Sequence, residues 1–512
     1  MGASMATASL SPAATTEVNE PRGMVRAVPI VLASLGFGLL AQLLFFDTGL
    51  GVNLPIAIAA LLGAGWAVRD RSRPLPRLAD RWLAAAALIL GAFVALRGDT
   101  TLVALDVLGV VGLTGAALAS FGGLRVVERP LGGLLLLGGK VLASALGGGA
   151  APVDGARRAL PGGLLRDGVG RGMPVLRGLL IAIPLLILFA ALFAAADAAF
   201  AEIAGNLFDW ELDLGSLPGR AILALVAAWV AAGLLAFVVH GREPASAGQV
   251  DAAWQRRPRL GTAEALTVLV AIDLLFAGFV ILQATYLFGG GDTRAATGLT
   301  YAEYARRGFF ELLAVAFVVG GLVLALEGFV IRRTRPYLAA TIALVVLTLV
   351  VLASAFLRLR LYQDAYGWTE LRFYVLAAIA WLAIGAVGAV VAVVTDRTRW
   401  LLHGMLALSI VFGLAFNVIG PVRFIAEQNV ARAIHPELVA PGGQTGLDVW
   451  YLASLGDDAV SVLAEALQRL SPADRGQARD ALEYSAYGLD GRDRGWQAWN
   501  LSRERARSLL TR

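Results

Sequence analysis

LRFYVLAAIAWLAIGAVGAVVAVV at residues 371–394, the hexapeptide TDRTRW, and LLHGMLALSIVFGLAFNVI at 401–419 decide what kind of fold this chain adopts. Each apolar stretch matches the roughly 20 residues that a helix rising 1.5 Å per residue needs to cross hydrocarbon ~30 Å thick. The hexapeptide between them carries Arg397 and Arg399, the mark of a loop held on the cytoplasmic side.

The same unit repeats upstream. Apolar runs near 27–46, 50–68, 82–96, 101–121, 176–196, 221–239, 266–288, 309–330 and 337–357 bring the expected total to about eleven spans. Positive loops follow every second run. They hold Arg69, Arg71, Arg73 and Arg77, then Arg125, Arg129, Arg157 and Arg158, then Arg256, Arg257 and Arg259, then Arg332, Arg333 and Arg335. The alternate loops hold Asp47, Asp99 and the acidic run Asp197, Glu202, Asp209, Glu211 and Asp213. The positive-inside rule then puts the amino terminus in the cytoplasm and the carboxyl terminus outside, in the cell membrane.

Composition agrees. Apolar residues make up 58% of the 512 and charged residues 16%, with a mean hydropathy of +0.71, which is too little charge to cover a soluble domain of this size. The pI of about 9.7 comes from arginines at helix ends on alternate sides, so topology explains the basic balance and nucleic acid is not an expected partner. Cysteine is absent and the three histidines, His240, His403 and His435, are scattered, so no metal site, cofactor or thiol nucleophile is implied. Nor do Ser, His and Asp assemble into a catalytic arrangement on any one side.

The fold class that follows is all-α: a disordered cytoplasmic tail at 1–26, a transmembrane helix bundle at 27–421 and a small extracytoplasmic helical domain at 422–512. Residues 1–20 lack the parts of a signal peptide. The long inner loop, 122–175, contains an apolar, glycine-rich segment at 131–146 flanked by arginines, read as interfacial or re-entrant. Gly138, Gly139 and Lys140 within it are not a phosphate-binding loop, because Leu134 stands where its first glycine belongs and Val141 where Ser or Thr would hold magnesium. In the last domain, Ser471, Pro472 and Asp474 predict a helix start. Val460, Leu463, Ala464 and Leu467 form an apolar face that needs a partner, either a neighbouring helix or the membrane surface.

Two outer loops concentrate polar chemistry. TYAEYARRGFFEL at 300–312 combines a capping box, Thr300 with Glu303, and an i, i+4 series of Glu303, Arg307 and Glu311. RLRLYQDAYGWTELRFY at 358–374 packs arginines, acids and aromatics into a short hairpin, and Arg358 and Arg360 oppose the charge trend there. An interfacial helix entering the membrane obliquely explains the first loop, and headgroup anchoring or docking of the tail the second; a binding site built from Glu303, Arg306, Arg307, Glu311, Arg358, Arg360, Tyr362, Asp364, Tyr366 and Arg372, with Arg432 from the tail, explains both. Inside the spans, Asp273 is the candidate ionisable group, as a structural hydrogen bond or as part of a transport path. Asp106 and Glu327 are expected at the interface, and Pro55 and Pro184 mark candidate kinks.

From residue 184 onward the chain resembles the bacterial multi-pass membrane proteins grouped as domain of unknown function 4173, with the related group 4153 as near neighbour. The resemblance is carried by PLLILFAALFAAADAAF at 184–200, YAEYARRGFFEL from Tyr301, RLRLYQDAYG at 358–367, Asn417, QNVAR at 428–432, YLASLGDDAV at 451–460 and WNLSR at 499–503. It departs at Gly420 and Pro421, which follow Asn417 where an Asn-Pro pair is more usual. The resemblance implies no activity, only that these patches recur together. Topology puts them at or beyond the outer face. The expected function is therefore a non-enzymatic envelope scaffold or binding protein, whose partners are the bilayer and an outer ligand or protein. The alternatives are a transporter or channel subunit using Asp273, and an envelope lipid- or glycan-modifying enzyme using Glu303, Glu311 or Asp364.

Overall fold

A computed structural model describes residues 24–129, 131–147, 217–241, 260–288, 309–330, 334–397, 400–439, 443–490 and 495–511. The expected span at 176–196, the acidic run after it and the capping box at Thr300 lie outside these residues. Among the described residues there are sixteen α-helices, and β pairing is limited to two isolated bridges. The bundle comprises α1 (Met24–Phe45), α2 (Asn53–Val68), α3 (Trp82–Val94), α4 (Thr100–Phe121), α5 (Leu131–Gly147), α6 (Leu217–His240), α7 (Thr262–Phe288), α8 (Phe309–Phe329), α9 (Arg335–Tyr366), α10 (Glu370–Val394) and α11 (Leu401–Ile419). The tail adds α12 (Pro421–Ile434), α13 (Val449–Ser454), α14 (Asp457–Ala466), α15 (Pro472–Asp490) and α16 (Leu501–Leu510).

Among the described residues seven helices, α1, α4, α6, α7, α9, α10 and α11, are long and apolar enough to cross a membrane. The eleven expected spans are thus matched only in part. Helix α2 has 16 residues and α3 has 13, the latter about 20 Å of helix against ~30 Å of hydrocarbon. Pro55 sits in the first turn of α2, where its missing N–H costs no helical bond, so it makes no kink.

The helices form two groups. In the first, α1 packs along α6, α3 and α4 form a hairpin, and α2 lies against all four, around a core that includes the fully buried Ala117, Leu118, Leu235 and Val238. Helix α5 runs along α6, where the Trp229 indole donates to the Leu146 carbonyl (2.9 Å) and Gly233 leaves no room for a Cβ beneath the Ser144 carbonyl. In the second group, α7 to α10 pack around Leu269, Tyr337, Leu344 and Leu359, all fully buried. Helix α11 bridges the two by touching α4 and α10.

At one end of the bundle the loop arginines act as helix caps. The Arg73 guanidinium donates to the carbonyls of Gly122 (2.5 Å), Gly241 (3.2 Å) and Val239 (2.9 Å), covering the carboxyl ends of α4 and α6 at once. Arg77 pairs with Glu128 at 2.6 Å, and His403 Nε2 donates to the Arg129 carbonyl at 2.7 Å.

The tail covers the opposite end. Its core buries Val460 and Leu463 together with Ala478, Ala481, Leu482 and Ala506, so the apolar face of α14 finds its partner in neighbouring tail helices. The predicted start of α15 is formed by the Asp474 N–H donating to Ser471 Oγ (3.2 Å) while that hydroxyl donates to the Asp474 carboxylate (2.8 Å).

Candidate functional site

Helix α9 differs from expectation, and the difference builds the site. The apolar run was expected to end near residue 357 and give way to a loop. Instead α9 continues through RLRLYQDAY, whose Arg, Leu and Gln are good helix formers, to a total of 32 residues. It stops at Gly367, whose φ of +77° favours a residue without Cβ. The residues expected in a hairpin are therefore on a helix that projects toward the tail.

The turn that follows is held by side chains from α12. The Trp368 N–H donates to Asn429 Oδ1, and Asn429 Nδ2 donates back to the Trp368 carbonyl, both at 2.8 Å. Arg432 donates to the carbonyls of Asp364 (2.9 Å), Ala365 (3.3 Å) and Gln444 (3.4 Å). Arg372, from the first turn of α10, donates to the carbonyls of Tyr366 (3.1 Å) and Gly367 (2.5 Å), and its guanidinium lies 4.0 Å from the Tyr362 ring centre. The Tyr451 hydroxyl accepts from the Glu370 N–H at 2.9 Å, which leaves its own proton free to donate.

Between these groups is a polar cleft of about 270 Å³, lined by Tyr366, Trp368, Thr369, Arg372, Asn429, Arg432, Gln444, Asp448 and Tyr451. Burial pushes the Arg432 guanidinium below its ordinary range; Asp364 opposes that shift, and the neighbouring charge of Arg372 adds to it. The cleft thus holds two guanidinium groups close enough to repel one another.

Of the sequence-predicted site residues, Tyr366, Arg372 and Arg432 line this cleft. The Tyr362 and Tyr366 rings meet tilted, their centres 5.1 Å apart, and Asp364 faces outward with Arg360 at 3.9 Å. Arg358 is half-buried lower on α9 and does not reach the lining. Glu311 is exposed in the first turn of α8, while Glu303, Arg306 and Arg307 lie outside the described residues. Asp273 is half-buried along α7, and its buried Oδ1 has no hydrogen-bond partner among the described residues.

A second polar assembly joins the tail to the α3–α4 hairpin. Asn500 Nδ2 donates to the carbonyls of Val94 and Arg97, both at 2.9 Å. The Ser502 hydroxyl is within hydrogen-bonding distance of the Leu96 carbonyl (2.9 Å) and the Asp458 carboxylate (2.6 Å), and Asp458 also takes the Gly98 N–H (2.9 Å). Arg97 reaches the Asn417 and Val418 carbonyls at the end of α11, and Asn417 Nδ2 donates to Asp106 Oδ1 at 2.8 Å. Asp106 is only 2% exposed, and its Oδ1 accepts from Asn417 of α11. Glu327 accepts from the Tyr337 hydroxyl at 3.0 Å. Asp99 caps α4 through the Leu102 N–H (2.9 Å); burial, with Glu370 and Asp458 adding to it, pushes its carboxyl up to about 6.

Compared with models of known protein families, the chain matches "Domain of unknown function (DUF4153)" over residues 56–466. The chain belongs to the DUF4153 family. The match is to the group expected as near neighbour; group 4173, expected first, is not matched. The DUF4153 region runs from α2 to the end of α14, so it takes in the cleft and the Asp458 side of the junction, while Asn500 and Ser502 lie beyond it. Searches of curated proteins and of solved structures found no match.

Sequence reasoning missed Asn429, Tyr451 and Gln444 in the cleft, and Arg97, Asp99, Asn500 and Ser502 at the junction, as members of sites. The available signal was the resemblance: QNVAR, YLASLGDDAV and WNLSR each supply one or more of these side chains.

Proposed function

We propose that this DUF4153 protein is a non-enzymatic membrane protein that binds an anionic group of the cell envelope in the cleft between α9, α10 and the tail. The observation that carries the reading is the pairing of Arg372 and Arg432 in a polar cleft, since guanidinium groups in a partly desolvated site favour phosphate or carboxylate. The proposal includes an orientation, with the arginine-capped end in the cytoplasm and the tail outside, and eleven spans between them; the separation of the two ends supports it. Calorimetric titration of the full chain in nanodiscs with glycerol phosphate tests the site. Saturable binding, weakened about tenfold in Arg372→Gln, is expected, equivalent to ~1.4 kcal/mol. Absence of saturable heat in the wild type rejects the anion reading.

A secondary-transporter reading rests on one observation, the partnerless buried Oδ1 of Asp273. It requires that Asp273→Asn abolish proton flux in proteoliposomes while insertion is unchanged; wild-type flux in that variant removes it.

A further inference from the structure

Asp99 and Asp106 are not used by the binding site proposed above, and their surroundings ask for a ligand of their own. They lie two turns apart on one face of α4, about 10 Å along its axis. Asp99 is 1% exposed, Asp106 2% and Asn417 0%. Each carboxylate has one oxygen satisfied, Asp99 by the Leu102 N–H and Asp106 by Asn417 Nδ2. The other oxygens, Asp99 Oδ2 and Asp106 Oδ2, are buried without a partner, and so are Asn417 Oδ1 on α11 and the Tyr374 hydroxyl on α10. Three of those four atoms are pure acceptors, so what this place lacks is a donor.

The surrounding charges leave Asp99 without one. From α10, Glu370 adds a negative charge near Asp99, and from α14 Asp458 adds another, although Asp458 is engaged by Gly98 and Ser502. Asp457 on α14 is paired with Arg503 of α16 (3.7 Å), and Arg423 on α12 with Glu427 (2.7 Å). Arg97 is the cation beside Asp106; its Nη2 is directed at two carbonyls of α11 and its buried Nε has no partner among the described residues, so a positive charge faces Asp106 while none is among the groups acting on Asp99. Among the described residues no three acidic or histidine groups converge as a metal ion would need. A proton needs only one lone pair, and it turns an acceptor-only carboxylate into a donor.

We propose that Asp99 and Asp106, with Tyr374 and Asn417 as hydrogen-bond partners, form a proton-binding site beneath the carboxyl-terminal domain. Burial and the nearby acids, which hold the Asp99 carboxyl protonated into the weakly acidic range, support it. The site is coupled to the tail by position, because the turn that ends in Asp99 is the one gripped by Asp458, Asn500 and Ser502. Proton loss places a charge opposite Asp458 and Glu370, and so weakens the grip.

The test is infrared titration of protonated carboxyl groups in the full chain in nanodiscs, with Asp99→Asn, Asp106→Asn and the exposed control Glu465→Gln. The Asn variants keep the acceptor oxygens that bond Leu102 and Asn417, so the local fold is retained. A protonated-carboxyl band is expected to persist above pH 5 in the wild type and in Glu465→Gln, and to lose intensity in each Asn variant. A wild type with no such band above pH 5, or a band that neither Asn variant alters, overturns the proposal. Absence of the wild-type band overturns the proposal without any variant, and Asp273→Asn, measured beside the other two, is expected to leave intact the intensity that Asp99→Asn and Asp106→Asn remove.

Discussion

Asn417 spends one amide proton on Asp106 and another on the Gly413 carbonyl of its own helix. Replacing it by alanine strands a buried carboxylate oxygen, a loss of about 1–3 kcal/mol. The expected outcome for Asn417→Ala is a clearly lower denaturation midpoint in detergent; an unchanged midpoint would mean water already serves Asp106. Asp99 carries the opposite sign from a salt-bridged acid. Its carboxyl binds a proton more tightly in the folded chain, about 6 against 3.8, so its stabilising contribution is full below pH 3.8 and is lost as pH rises through about 6. Subtracting the Asp99→Asn profile from the wild-type profile is expected to leave a decline across that window, and a flat difference would contradict it. At this scale sequence reading was uneven. Tyr366, Arg372 and Arg432 stood out by density of charge and aromaticity, whereas Asn429 and Asn500 did not, because an amide's role depends on which carbonyl the fold brings to it.

Helices were the most legible elements, since twenty apolar residues in water-free surroundings must satisfy their backbone internally. Their ends were less so. Hydropathy stops reporting where the chain leaves hydrocarbon, so the last nine residues of α9 looked like loop, although their helix propensity and the glycine that follows marked a continuation. Gly367 is the element's terminator, and a Cβ there would stand 2.5 Å from Asn429 Oδ1. Gly367→Ala is expected to cost about 1–2 kcal/mol through its positive φ and to loosen the α12 contact. Faster proteolysis between residues 435 and 448 is the measurement, and wild-type cleavage rates would refute it. Helix α5 shows a related limit: its apolar, glycine-rich composition was legible, but that Gly233 and Trp229 of α6 receive it was not.

For the whole molecule, the division into an apolar bundle and a charged tail was readable from composition alone, but the way the two attach was not. The tail is bonded to the α3–α4 turn, to the segment joining α1 and α2 and to α10, through residues that looked unremarkable singly. Deleting residues 495–512 removes α16 together with Asn500 and Ser502. The truncated chain is expected to insert normally and to become sensitive to protease within 443–466; resistance equal to the wild type would show that the contacts of α12, Tyr451 and Asp458 hold the tail without α16. A reporter fused after Arg512 tests orientation independently, and a cytoplasmic signal there would reverse the proposed topology.

Asn500 and Val94 are 406 residues apart in sequence. At a synthesis rate of ~5–20 residues per second, the α3–α4 hairpin emerges on the order of a minute before the side chain that will cap its turn. During that interval the carbonyls of Val94, Leu96 and Arg97 have only water to bond. The latch on the α3–α4 turn therefore closes only after the bundle helices have been synthesised, and the segment that carries Asn500 docks onto a turn already made.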